Sequence, residues 1–90
     1  KVPTSARIFK ALGNEVRLRI AQALAHNGEV SCRKLRDLFP LAQPTMSLHF
    51  AKLVDTGIIR VRKEGASHFY SLDRALLRVH GITLKPKGGE

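Results

Sequence analysis

The sequence predicts a mainly α domain of about five helices carrying one β-hairpin toward its C-terminal end. Three observations point there. Apolar residues recur every three or four positions in five separate segments. Glycine or proline punctuates the joints between those segments. Over residues 58–63 and 67–72 the apolar period shortens to two, the repeat of a strand.

The first helix is expected from about Ser5 to Leu12, with Ile8, Phe9 and Leu12 at helical spacing and Gly13 as its stop. Asn14 is placed to cap the second, and Glu15 suits the positive end of that helix. Val16, Ile20 and Leu24 then repeat every fourth residue, and His26-Asn27-Gly28 ends the run. Ser31 reads as the cap of a short third helix whose apolar stripe is Cys32, Leu35, Leu38 and Phe39. Pro40 stops it, because proline lacks the N–H and its ring collides with the preceding turn. After a tight connection, Pro44 sits in the first turn of a fourth helix, where proline is best tolerated. That helix runs to about Thr56 and closes at Gly57. Ile58–Lys63 and Ser67–Leu72 are the hairpin strands, joined by Glu64-Gly65-Ala66. Asp73 caps a last helix through about Val79, with an end that Gly81 blurs.

Ninety residues make one domain, with loose termini expected over residues 1–4 and 85–90. Ile, Leu, Val and Phe number 27, enough for a core and too many for a disordered chain. A monomer of this size buries only about 60–65% of its unfolded surface, so a partner subunit that covers apolar residues would add stability. No apolar run approaches the length of a membrane span. Lys1 to Ser5 lacks the apolar stretch of a secretion signal, and the single cysteine, Cys32, has no internal disulfide partner, so a reducing cytoplasm is expected.

Sixteen Lys and Arg against seven Asp and Glu give a net charge of +9. Such a balance suits a polyanion. Two helices joined by a short turn and followed by a basic hairpin form the winged helix-turn-helix arrangement, in which one helix enters the major groove of DNA. At 100° per residue, Met46, Phe50, Leu53 and Val54 fall on one side of the fourth helix, toward the core. Pro44, Thr45, Leu48, Lys52 and Asp55 fall opposite, with His49 and Thr56 on a shoulder beside Thr45. Gln43, Thr45, Ser47 and His49 supply short hydrogen-bonding groups near the N-terminus, where bases are closest; the alternative is that His49 caps local structure and that Thr45 and Ser47 are plain polar surface. Lys52 fits a phosphate, and Leu48 fits a thymine methyl or is simply an exposed leucine. In the hairpin, Ile59 and Val61 alternate with Arg60 and Arg62, and Arg62 and Lys63 flank the turn within reach of a minor groove or its phosphates. Charge that merely protects a strand edge is the alternative.

With these residues placed, the chain resembles the arsenic-repressor (ArsR/SmtB) family of bacterial regulators. Phe9-Lys10-Ala11-Leu12 through Arg17-Leu18-Arg19-Ile20 resembles that family's opening, F-x-A-L-x-x-x-x-R-L-x-I. Gln43-Pro44-Thr45-Met46-Ser47-Leu48-His49-Phe50 resembles its recognition helix, Q-P-T-V-S-x-H-L. Ile58 to Leu72, with Arg62, Lys63, Gly65 and Tyr70-Ser71-Leu72, resembles its wing. The resemblance implies a homodimer joined through the first and last helices, with Phe9, Leu76 and Val79 as interface candidates and the core of one subunit as the alternative place for each. It also implies repression by occupying an operator, relieved by a metal or another signal.

The sequence departs from the family at its metal box. The pattern E-L-C-V-C falls on Glu29-Val30-Ser31-Cys32-Arg33, so both ligand cysteines are replaced and Cys32 lies between them. On the last helix Asp73-Arg74-Ala75 lacks the histidine of an Asp-x-His pair, and His80 alone falls short of the roughly four ligands of zinc. No metal site and no cofactor are therefore expected. Two alternatives remain open from the sequence: a winged-helix protein-interaction module, and a repressor that senses metal or oxidant through Cys32 or histidines. An enzyme is not expected, since there is no Ser/Cys–His–acid grouping, phosphate-cradling glycine loop or usefully spaced carboxylate pair.

Overall fold

The computed structural model describes residues 4–85. Helix α1 (Ser5–Leu12) starts at Thr4, whose hydroxyl accepts the Arg7 N–H at 3.3 Å. Lys85 is exposed and lies in no helix or strand, and the remaining residues expected to be loose, 1–3 and 86–90, lie outside the described ones. Helix α2 (Glu15–Asn27) starts at Asn14, whose Oδ1 accepts the Arg17 N–H at 3.1 Å. Each cap satisfies a donor that the helix itself leaves open, worth about 1 kcal/mol.

Strand β1 (Val30–Ser31) comes next, then α3 (Cys32–Asp37), capped by Ser31 through the Lys34 N–H at 3.1 Å. Helix α4 (Gln43–Asp55) begins with Pro44 in its first turn. Strands β2 (Ile59–Glu64) and β3 (Ser67–Leu72) form the hairpin, and α5 (Arg74–Val79) follows. The loop is only Gly65-Ala66, because Glu64 pairs with Ser67 inside the ladder. Gly65 carries a φ of 60° at the first central position, which a two-residue loop of this hand requires.

The sheet has three strands rather than two, in the order β1-β3-β2, with both pairs antiparallel. Strand β1 escapes sequence reading because two residues carry no period. Its pairing with Tyr70 and Phe69 arises only when α2 delivers it beside β3. Helix α4 ends in a reciprocal pair of backbone bonds. Ile58 N–H donates to the Leu53 carbonyl at 3.0 Å, and Gly57 N–H to Val54 at 3.0 Å. Gly57 supplies the φ of 84° that this termination needs. The chain thus turns from helix to strand within three residues, Thr56 to Ile58. Helix α5 stops in the same way, so Gly81 is its terminator and not an interruption.

Ile8, Ile20, Leu24, Leu35, Met46, Leu53, Ile58, Ile59 and Leu77 are fully buried. They come from every helix and from the helix-to-strand joint, so one core fixes all elements. Each such side chain contributes about 1.5–3 kcal/mol on burial. Two expected core positions lie outside. Leu38 is exposed because α3 ends before it, and Val54 is exposed beside the hairpin. Thr56, expected on a polar shoulder, is buried instead, and its hydroxyl donates to the Leu53 carbonyl at 3.1 Å. That bond lets a hydroxyl enter the core without an unsatisfied donor.

Candidate nucleic-acid interface

Helix α4 has the two faces the sequence predicts. Met46, Phe50 and Leu53 are buried, whereas Gln43, Pro44, Thr45, Ser47, Leu48 and Lys52 are exposed. Its N-cap, Ala42, offers no side-chain oxygen, so first-turn N–H groups lack a cap and suit an anion. Leu48 is 64% exposed, a large apolar side chain held in water.

One aromatic pair sets the helix against the hairpin. Phe50 of α4 stacks on Tyr70 of β3 at 4.8 Å between centroids, with 24° between planes. Tyr70 pairs with Val30 on one side and Val61 on the other, so the stack anchors α4 to all three strands. Burial, assisted by the adjacent Cys32 thiol, pushes the Tyr70 phenol above its ordinary pKa, so it stays neutral at pH 7.

An open groove of about 860 Å³ lies between α3, α4 and the hairpin. Gln43 and Ser47 line its helix wall, and Lys63 and His68 line its strand wall. Lys63 and His68 are direct cross-strand partners, which follows from counting back from the two-residue loop. Arg33 and Arg36 of α3 close the groove. Sequence reading missed these two arginines and His68, although the spacing 33, 36 places the arginines on one side of a helix.

Arg62 sits elsewhere. Strand alternation puts it on the sheet face away from the groove, and its guanidinium grips Glu29 through two bonds of 2.9 Å. Arg60 likewise binds Asp73, at 3.2 and 3.0 Å. His49 is half-buried, with its Nδ1 3.3 Å from Arg17 Nη1 of α2. Burial and the nearby cations Arg17 and Lys52 hold its pKa below the ordinary value.

At the positions of the metal box, the Ser31 hydroxyl caps α3, Cys32 is half-buried in the groove wall and Arg33 is exposed. Among the described residues no three His, Cys, Asp or Glu side chains converge. His80 Nδ1 lies 2.7 Å from Ser5 Oγ, joining α5 to α1. Near that junction Phe9 is 55% and Val79 is 80% exposed. Leu76 is half-buried: it packs against the edge of the core, and a Cβ at Gly57 would lie 3.2 Å from its Cδ2.

A capped three-helix core, a two-faced fourth helix and a basic hairpin define a winged helix-turn-helix DNA-binding regulator. Comparison with known proteins agrees. The family model described as "Helix-turn-helix domain" matches residues 3–62. An uncharacterized HTH-type transcriptional regulator of Methanocaldococcus jannaschii is 43% identical over 70 residues, 78% of this chain and 79% of that protein. An arsenical resistance operon repressor of Staphylococcus aureus is 39% identical over 78% of this chain, which spans 66% of that protein. The crystal structure of the transcriptional repressor BigR from Xylella fastidiosa superposes with a TM-score of 0.71 at 28% identity, over 84% of this chain and 78% of that one. The chain belongs to the arsenic-repressor (ArsR/SmtB) family of winged-helix transcriptional regulators, and it is a DNA-binding regulator rather than an enzyme. Among the described residues no helix is long and apolar enough to cross a membrane.

Proposed function

We propose that this chain is a repressor that occupies an inverted-repeat operator as a homodimer in the cytoplasm. The observation that carries the reading is the groove. The polar edge of α4 faces the Lys63–His68 pair of the hairpin, and Arg33 and Arg36 add two cations to the lining. With α4 in the major groove, a sugar–phosphate strand fits between helix and hairpin. Gln43, Thr45, Ser47, Leu48 and His49 then meet base edges, and Pro44 presets the first turn that presents them. Lys52 and Lys63 neutralise phosphates.

Phe9 and Val79 are the surface on which a second copy would close, since both expose apolar area beside the α1–α5 junction. Leu76 supports that surface from below. Two relatives are named as repressors, which favours repression here. The arsenical relative's name points to metal resistance, but Ser31 and Arg33 replace the cysteines such a site needs here. The signal that releases this chain is therefore of another kind.

The test is selection of an operator from genomic fragments with the full chain, followed by anisotropy titration at several salt concentrations. Two half-sites about 34 Å apart are expected. Affinity should fall by about 0.9 log units per phosphate contact for each log unit of salt. Binding that is indifferent to salt and to Thr45→Ala or Ser47→Ala would refute the reading.

A further inference from the structure

Arg17 and His49 meet where α2 passes behind α4. The guanidinium is braced before it reaches the ring: Arg17 Nε donates to the Ala11 carbonyl at 2.7 Å, and the Arg17 backbone N–H is held by Asn14 at 3.1 Å. Chain on both sides of the α1–α2 joint thus fixes the donor. Its Nη1 lies 3.3 Å from His49 Nδ1. A guanidinium has five N–H donors and no acceptor, so Nδ1 must accept. An accepting Nδ1 leaves the ring proton on Nε2. Two cations face the imidazole, Arg17 from α2 and Lys52 from α4 itself, and both oppose a second proton. Among the described residues Nε2 makes no hydrogen bond, while Thr45, one turn earlier on α4, is exposed.

We infer that Arg17 is a positioning residue that locks His49 as a neutral, single-donor Nε2–H group and so decides what His49 accepts as a partner on DNA. The inference rests on the DNA-binding reading above and adds its chemistry. A lone N–H is satisfied by a purine N7, guanine O6, thymine O4 or a phosphate oxygen. It is refused by the amino groups of adenine N6 and cytosine N4, which are donors themselves. Without Arg17 the ring is free to take the other tautomer or a second proton. Nε2 then accepts in one state and donates in another, and discrimination at that base falls.

The test has two arms, both on the full chain. Long-range 15N–1H NMR of the free protein at pH 7 reads the His49 ring nitrogens directly. The expected result is a protonated Nε2 and a bare Nδ1 in the native chain, and a tautomer mixture in Arg17→Gln. Operator titrations then compare base substitutions beneath the second turn of α4. Arg17→Gln and His49→Ala should each lose about fivefold discrimination there, the worth of one hydrogen bond. Lys52→Gln should keep that discrimination while weakening all sequences alike.

A protonated Nδ1 in the native chain would overturn the inference, as would unchanged tautomer populations in Arg17→Gln. The native-chain measurement needs no variant, so a folding defect in Arg17→Gln leaves the idea open to refutation. Failure of the native chain to bind any operator while Nε2 is protonated would instead refute the DNA-binding reading alone.

Discussion

Arg62 is joined to Glu29 across the full width of the sheet. Nε to Oε2 and Nη2 to Oε1 are both 2.9 Å, and the guanidinium lies 4.6 Å over the Phe69 ring. Register explains the reach. Arg62 of β2 pairs with Phe69 of β3, which pairs with Ser31 of β1, and Glu29 lies two residues before Ser31 on the same face. One side chain therefore crosses β3 and pins β2 to the loop before β1. The fork-to-fork geometry holds the hairpin against the body of the domain, and it occupies the donors a phosphate would want. Lys63, its neighbour, points to the groove.

The two hairpin cations should thus separate in salt titrations. Lys63→Gln is expected to lower the salt slope of operator binding by about 0.9, one phosphate contact. Arg62→Gln should change it less. Glu29→Gln should raise it, because it releases Arg62. Equal loss of slope in Lys63→Gln and Arg62→Gln would show that Arg62 leaves Glu29 to contact DNA.

Acid should loosen the domain through two carboxylates. Hydrogen bonds from Arg62 hold Glu29 below its ordinary pKa, and the Leu76 N–H followed by Arg60 holds Asp73 below its own. A depressed folded value means the contribution is present above the unfolded value and is lost as pH falls through the folded one. Thermal melts should be nearly flat in these groups from pH 7 to about 5 and decline below about 4. Asp73→Asn should flatten that decline. An identical acid limb in Asp73→Asn would exclude Asp73 as a source.

The termination of α4 is strained for any residue but glycine. Gly57→Ala places a Cβ at φ 84° and 3.2 Å from Leu76 Cδ2. A left-handed alanine costs about 1–2 kcal/mol, and the contact pushes Leu76 toward the surface that would close on a second copy. Denaturant unfolding should show at least that loss. An unchanged midpoint would mean that the joint relaxes.

The faces of α4 should respond in opposite ways. Leu53 is fully buried, so Leu53→Ala should cost about 2–5 kcal/mol of stability. Leu48 is 64% exposed, so Leu48→Ala should leave stability within about 0.5 kcal/mol and weaken operator binding. A marked loss of stability in Leu48→Ala would place it in a contact made only by the dimer.

Oligomeric state should follow Phe9 and Val79. Phe9→Lys with Val79→Lys puts charge into the exposed apolar surface beside the Ser5–His80 junction. Sedimentation should show a shift from dimer to monomer, with the fold retained by circular dichroism. A dimer that persists would move the interface elsewhere.

Helix α4 and the hairpin were legible from sequence because their signals are local. Period 3.6 places Met46, Phe50 and Leu53 together, and period two sets Ile59 and Val61 against Arg60 and Arg62. Caps at Asn14, Ser31 and Asp73 were legible for the same reason, since a cap acts three residues away. Strand β1 was not, because two residues hold no period and their partners lie 40 and 38 positions on, at Tyr70 and Phe69. Val54 and Leu38 were misplaced because a stripe gives direction but not where the neighbouring element stops.

The chain's own order of residues settled its winged architecture and the polar edge that begins at Gln43, since helix period, turn chemistry and capping act over a few bonds. Folding alone decided which cations stay free and which proton a histidine keeps. Arg62 met Glu29 from 33 positions away, and Arg17 met His49 from 32. Charge and hydrogen bonding depend on distance in space, and no local pattern encodes that distance.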